Sequence, residues 1–413
     1  MVAAATLLAL PLVQSATVAP ASASVAKPLP GSARFYVPPA PSGAKHQIAR
    51  LTRVGKKYDA KLVRDMVHKP RAVWFTGGTP AAVRRQVRHV TRRAAGKRTV
   101  PTLVAYNVPG RDCSQYSSGG AGSDAAYRAW ADGFAAGLRS GHRVVVVVEP
   151  DGLANLPSDC PSAYPGQDVA ALTAGRIADI RYIGRAVEKA DRRALVYLDA
   201  GHSAWHSVGD IAQRLDQAGV RQFQGFSLNV SNYQPTVQLV QYGTWVSKCI
   251  YYANNAAEGG WRLGHYDYCA SQYSPATATD PSTWHLTDEW YAANVDHAAG
   301  APTSPAQLAH FVVDTSRNGR GPWTTDTAYP DPQDWCNPPG RGLGLRPTAD
   351  TDNALADAYL WIKTPGESDG QCNRGISGST TDPEWGGIVD PAAGAWFPRQ
   401  ALQLARLAVP RLR

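Results

Sequence analysis

A parallel α/β sheet or barrel, with a cleft across its C-terminal face, is the fold class that this chain predicts. Three observations predict it. Seven apolar runs alternate with helix-length segments, as crossover units require. One run, Val144 to Val148, is five consecutive valines, which suits a strand buried on both faces. Most of the runs also end in polar or charged residues. Those groups would collect at one rim, where parallel sheets and barrels keep their chemistry.

From the start of the chain, MVAAATLLALPLVQSATVAPASA (1–23) reads as a secretion signal, with an apolar core and small residues at Ala21-Ser22-Ala23. The basic residue expected before that core is missing, which points to a start further upstream. Six cysteines fit export, where disulfides persist. Residues 24–33 read as a short linker and 34–413 as one domain. The chain has 413 residues, 44% of them hydrophobic, enough for a large core. Nothing after residue 30 is apolar for long enough to span a membrane.

The net charge of +9 gathers in the basic segment from Lys45 to Arg98. QVRHVTRRAAGKR (86–98) spaces its charges as a solvated helix face. Nucleic-acid binding has no recognition motif here, and the basic stretch ends before the acid-bearing strands begin. The strands are AVWFTGG (72–78), TVPTLVAYNVPGRDC (99–113) and RVVVVVEPDGLANL (143–156), then RALVYLDAGHSAW (193–205), GFSLNVSNY (225–233), HFVVDTSRNG (310–319) and AYLWIKTPGESDG (358–370). Pro150 cannot donate to a ladder, so the valine strand ends there and presents Glu149 and Asp151 at the rim. Ser123 or Asp124 can cap a helix whose Tyr127, Trp130, Phe134 and Leu138 fall at helical spacing. A further helix covers roughly 168–190. Residues 234–305, rich in Tyr and Trp and carrying two cysteines, read as a long excursion between two strands, the kind that serves as a lid or a functional loop.

The rim then gathers Asp112, Asp151, Asp199 and Asp369, with Glu149 and Glu367 nearby, and with Trp74, Tyr106, Trp205 and Trp335. Crowded carboxylates disfavour one another's ionisation, so at least one keeps its proton near neutral pH. A protonated acid beside an ionised one is what glycoside hydrolysis needs. Indole faces suit the apolar C–H faces of sugar rings, so acids plus tryptophans point to a polysaccharide. A metal site is the competing use of clustered acids, but no HExxH or paired-His spacing occurs, and His202 is the one histidine on an acid-bearing strand end. No GxSxG marks a serine nucleophile. No metal or cofactor is expected.

Taken together, YNVPGRDC, VVVEPDGLANL, YLDAGHSAW, SLNVSNY, DTSRNG, DWCNPPGRGLG and LWIKTPGESDG resemble glycoside hydrolase family 6, in the family's order, across about residues 33–410. That family comprises inverting β-1,4-glucanases and cellobiohydrolases. The resemblance implies a distorted, incomplete (β/α) barrel of about seven mostly parallel strands. It places Asp151 on the general acid and Asp112 on the aspartate that keeps that acid protonated and helps order the catalytic water. Tyr106 falls on the tyrosine that crowds the distorted sugar, and Asp369 on the disputed base. Ser118 matches the serine that holds the water. Trp74, Trp205 and Trp335 match sugar-stacking tryptophans; His202, Lys363 and Glu367 match hydrogen-bonding groups, and Asn229 of SLNVSNY joins the substrate-binding set. Cys113 is expected to pair with Cys160 and Cys336 with Cys372, while Cys249 and Cys269 have no counterpart. The family often has a cysteine where this chain has Ser368. The implied partner is cellulose or another β-1,4-glucan, with no nucleic acid and no membrane, acted on by a monomer.

The mode of attack is argued by two loops. CSQYSSGGAGSDAAYRAW, after Asp112, is short and Gly/Ser-rich, the form of endo-acting relatives whose cleft stays open there. The run from Gly370 to Ala393 is long, as in the cellobiohydrolases, whose tunnel roof comes partly from it. One low wall and one tall one make a partly covered cleft, which favours internal cleavage, with release of cellobiose from chain ends as the alternative.

Overall fold

The computed structural model describes residues 29–138, 141–256 and 260–412. The secretion signal read at 1–23 and the first half of the linker lie outside the described residues. Leu29, inside the stretch read as linker, is buried and packs with strand side chains, so the domain begins earlier than residue 34.

Seven parallel strands run in the order of the chain. They are β1 (Val73–Phe75), β2 (Thr102–Ala105), β3 (Val144–Val148), β4 (Ala194–Asp199), β5 (Gly225–Leu228), β6 (His310–Asp314) and β7 (Ala356–Leu360). Each pairs in parallel with its sequence neighbour, which requires a crossover connection between every pair. No ladder joins β1 to β7. The Ala72 N–H donates to the Trp361 carbonyl at 2.9 Å, and Trp74 Nε1 to the Ile362 carbonyl at 2.8 Å. The result is a curled, incompletely closed barrel.

The valine run shows why such strands need no polar face. Val144, Val146 and Val148 belong to the core between sheet and helices, while Val145 and Val147 belong to the core inside the curl. Side chains alternate across a strand, so a strand covered on both sides must be apolar at every position. Leu195 and Tyr197 of β4 also point inward, and Val196 and Leu198 outward.

Nine helices are present among the described residues: α1 (Ser42–Arg53), α2 (Lys57–Val67), α3 (Pro80–Gly96), α4 (Asp124–Gly137), α5 (Val169–Ala190), α6 (Val208–Gln217), α7 (Thr236–Asn254), α8 (His285–Tyr291) and α9 (Pro398–Arg406). In α3, Val83, Val87, Thr91 and Ala94 are buried and the arginines point to solvent, so the basic segment is a solvated helix face. Ser123 caps α4 by accepting the Ala126 N–H, and Tyr127, Trp130 and Phe134 bury as their spacing requires. Helices α1, α2 and α9 pack with Trp361 over the seam between β7 and β1, and Arg406 holds Asp59 with two hydrogen bonds of 2.9 and 2.7 Å.

The stretch 234–305 differs from its reading as a mere excursion. It opens with α7, the crossover helix from β5 to β6, whose Leu239, Tyr242, Trp245, Val246, Cys249 and Ile250 lie in the outer core. Tyr, Trp and Cys share its buried face with Leu239, Val246 and Ile250, so no continuous apolar run marks the helix. Cys249 of α7 is bonded to Cys269. The expected pairs Cys113–Cys160 and Cys336–Cys372 are formed as well.

Candidate functional site

The turn after β3 sets the site. Glu149 and Asp151 both take positive φ, 49° and 63°, on either side of Pro150. Left-handed backbone at non-glycine residues costs on the order of 1–3 kcal/mol and persists only where the surroundings enforce it. The enforcement is visible. Glu149 is fully buried and accepts the N–H groups of Asn107 and Val108 and the Tyr127 hydroxyl, fixing the end of β2 against β3. Burial raises its pKa to about 7. Asp199, at the end of β4, accepts the Asp151 N–H at 2.9 Å and the Ser227 hydroxyl at 2.9 Å. Glu149 and Asp199 therefore lie beneath the site and hold it. Asp151 alone of this turn's acids reaches the cleft.

The Asp151 carboxyl is pushed well above the usual carboxylate range, first by burial and then by Asp199 and Asp112. Asp112 sits in a second left-handed turn, with φ 62°. It accepts the Ser117 N–H at 2.6 Å. Burial lifts it to about 6, against that hydrogen bond and the Arg111 guanidinium. Arg111 lies 4.5 Å from the centre of the Tyr106 ring and donates to the Tyr106 carbonyl at 2.6 Å and the Ser117 carbonyl at 2.9 Å. One arginine thus ties the end of β2 to the loop that carries Asp112.

Asp369 has the opposite surroundings. Fully buried Arg317 pairs with its Oδ2 at 2.8 Å, Lys363 with its Oδ1 at 2.9 Å, and the Asn337 N–H donates to Oδ2 at 3.0 Å. These partners outweigh burial and hold the carboxylate down at about 2. Arg317 also donates to the Ser231 carbonyl and stacks on Tyr233, 4.5 Å from the ring centre. Below them, Asp314 at the end of β6 accepts the N–H groups of Ser231, Ser316, Ile362 and Lys363, joining the ends of β5, β6 and β7.

Asp112, Asp151 and Asp369 open into a cleft of about 380 Å³ at the C-terminal ends of the strands. Trp74, Tyr106, Asp112, Asp151, His202, Trp205, Trp335, Lys363 and Asp369 all face it. Trp74 and Tyr106 meet edge to face at 5.4 Å, and burial lowers His202 to about 4, leaving a neutral imidazole. Three residues of the expected set do not face it. Ser118 is exposed outside the wall, and its neighbour Ser117 lines the cleft. Asn229 is buried and braces its loop, donating to the Asp314 carbonyl at 2.9 Å and accepting the Gln234 N–H at 3.0 Å. Glu367 lies behind Lys363, half-buried. Arg317, Asp314, Tyr233 and Asn155 were not singled out from the sequence. Arg317 and Asp314 carried the same signal as Asp151, a polar residue just beyond an apolar run, inside HFVVDTSRNG.

Among the described residues, Cys372, Asp382 and Asp390 form a tight group of potential metal ligands. Its donors are committed, because Cys372 is bonded to Cys336 and Asp382 is paired with buried Arg374. The cleft itself offers a proton-holding acid, Asp151, a carboxylate held ionised, Asp369, and aromatic walls. That set can protonate a leaving oxygen and stabilise developing positive charge on a bound sugar.

Comparison with known proteins agrees with this chemistry. Residues 31–408 match the model of Glycosyl hydrolases family 6. Endoglucanase A of Cellulomonas fimi is 32% identical over 375 residues, covering 91% of this chain and 61% of that protein. Endoglucanase 1 of Streptomyces sp. (strain KSM-9) is 34% identical over 339 residues, covering 82% and 69%. Among solved structures, the endoglucanase Cel6 from Mycobacterium tuberculosis, in complex with a methyl-cellobiosyl-4-deoxy-4-thio-β-D-cellobioside, is 32% identical with a TM-score of 0.64, covering 91% of this chain and 97% of that one.

Proposed function

The chain belongs to glycosyl hydrolase family 6, and from that premise we propose that it is a secreted, inverting β-1,4-glucanase that cuts cellulose-type chains internally. One observation carries the reading: a single cleft holds a carboxyl kept protonated, Asp151, together with a carboxylate kept ionised, Asp369.

Asp151 acts as the general acid and gives its proton to the glycosidic oxygen as the bond breaks. Asp112, with a pKa near 6, raises the proton affinity of Asp151 and orients the attacking water with its free valence, while the Ser117 N–H fixes its carboxylate. A carboxylate held at about 2 is a weak base. Asp369 serves better as fixed negative charge opposite the positive sugar ring, with the water's proton passing on through solvent. Tyr106 crowds the sugar at the point of cleavage. Trp74, Trp205 and Trp335 stack on sugar faces, and His202 and Lys363 offer hydrogen bonds. One chain supplies every one of these groups, which supports a monomer. Three disulfides support export.

Internal cleavage is supported by the loop that could have made a roof. Among the described residues, none from 370 to 396 lines the cleft. The loop folds back instead: Arg374 donates to the carbonyls of Gln333 and Cys336 at 2.9 and 2.8 Å, and Glu384 accepts the Tyr329 hydroxyl at 2.6 Å. Relatives named endoglucanases point the same way. The viscosity of carboxymethyl cellulose should therefore drop steeply while few reducing ends appear. Steady viscosity with accumulating cellobiose would show attack from chain ends.

A further inference from the structure

Resting on the glucan reading, we propose that a groove beside the Trp205 end of the cleft is an auxiliary glucan-binding site. It lies between the start of α6 and the Tyr266–Pro275 loop and ends on a ring cluster of Trp261, His265 and Tyr268. A substrate chain leaving the cleft past Trp205 would run into it.

The inserted segment that builds this surface contributes little to the cleft. Of the described residues in 234–305, only Gln234 faces the cleft. The segment is nevertheless held firmly. The Cys249–Cys269 bond ties it to α7, Tyr266 accepts a hydrogen bond from Asn254 at 2.9 Å, and the Arg262 guanidinium lies 5.2 Å from the Tyr252 ring centre.

On this fixed base the aromatic faces turn outward. Trp261 is 71% exposed, Tyr273 46% and Tyr268 44%. Tyr268 stacks parallel on His265 at 4.4 Å and tilts against Trp261 at 5.7 Å. Exposed aromatics held by a disulfide and not used in the core mark a binding surface. A groove of about 680 Å³ adjoins them, with Ser207, Gly209, Gln213 and Trp290 in its walls.

Position and charge choose the occupant. Helix α6 begins two residues after His206 and so starts at the rim beside Trp205. The Tyr273 hydroxyl donates to the Trp205 carbonyl at 3.2 Å, so the outer loop and the cleft share a wall. The charged groups nearby are few and engaged: Asp210 pairs with Arg214, Asp267 hydrogen-bonds His265, and Arg262 lies over Tyr252 and donates to the Asn255 carbonyl. Flat rings and hydroxyls with little free charge suit a neutral polymer with apolar ring faces and polar edges. A β-1,4-glucan has that chemistry and already occupies the adjoining cleft.

The test uses the full chain and the Trp261→Ala/Tyr268→Ala double variant. Affinity electrophoresis through hydroxyethyl cellulose, with Asp151→Asn added to both so that the gel is not cut, should show binding weakened about two- to ten-fold. Trp261→Phe, which keeps a ring, should retain most of the retardation. Cellotetraose, short enough for the cleft alone, should be cleaved by the double variant within about two-fold of the parent rate, which also shows that it folds. Equal retardation of parent and double variant would overturn the auxiliary site. So would a parent that sediments as a dimer and a double variant that sediments as a monomer, because the patch would then hold a second copy. A parent that cleaves no cellotetraose would overturn the glucan reading itself.

Discussion

Asp151 and Asp369 share one cleft and one side-chain chemistry, yet their protons behave in opposite ways. Around Asp151 the charged neighbours that count most are acids, Asp199 and Asp112, so removal from water and mutual repulsion keep its carboxyl protonated. Around Asp369 stand Arg317, Lys363 and the Asn337 N–H, and the same removal from water is overcome. Burial alone therefore does not decide ionisation. The partner that each strand end delivers does, and it divides two aspartates into a carboxyl kept protonated and a carboxylate kept ionised.

The comparison breaks first at Asp151. Asp151→Asn keeps the shape and removes the proton, so the rate on unactivated cellulose should fall by about 10²–10⁴-fold with folding intact. A folded variant that keeps most of its activity would show that the protonated wall is not the donor. The second test is at Arg317. Arg317→Met strips the principal cation from a buried carboxylate, and breaking such a pair typically costs about 3–5 kcal/mol. Urea unfolding should show a loss toward the lower end, because Lys363 remains. Unchanged stability would mean that Arg317 does not hold Asp369 ionised.

The two environments were unequally legible in the sequence. A five-valine run ending in EPD announces a doubly buried strand and an acid at its rim, because the period-two pattern vanishes only when both faces are covered. Asp151, Asp112, Trp74 and Trp205 follow from such runs and their polar ends, whereas Trp335 comes from the long loop between β6 and β7. Arg317 and Asp314 lie in a motif just as visible, but their meaning depends on β5 and β7 closing over β6, which a single segment does not display. The choice of Ser117 over Ser118 depends on a tight turn closed by an N–H to Asp112, one residue from the expected position. Helix α7 was hidden because Tyr, Trp and Cys are mixed with Leu239, Val246 and Ile250 on its buried face, which leaves no apolar run to mark it. The spacing of Cys249 and Cys269 carries no geometry until that helix is placed.

Titration sharpens the contrast with a smaller effect. Asp369, lowered to about 2, stabilises the fold above the ordinary carboxylate range, and that contribution is lost as pH falls from about 4 through 2. Glu149 and Asp199, raised to about 7, and Asp112, raised to about 6, have the opposite sign. Their contribution is complete below about 4 and is lost as pH rises through 6 to 7. The unfolding temperature should therefore be highest near pH 4 and decline by a few degrees on each side, as Asp369 is protonated below it and the raised carboxyls are forced to ionise above it. A midpoint that keeps rising from pH 5 to 8 would mean that the raised carboxyls are not raised.

The stereochemistry of the product tests the division of labour most directly. The proposed roles, a proton donor on one side of the sugar and a water on the other, amount to a single displacement with inversion. Proton NMR of a fresh cellotetraose hydrolysate should show the α-anomer first, with the β-anomer growing in only as the sugar mutarotates. If the β-anomer appears first, a carboxylate attacks the sugar, and the separate roles assigned to Asp151 and Asp369 are wrong.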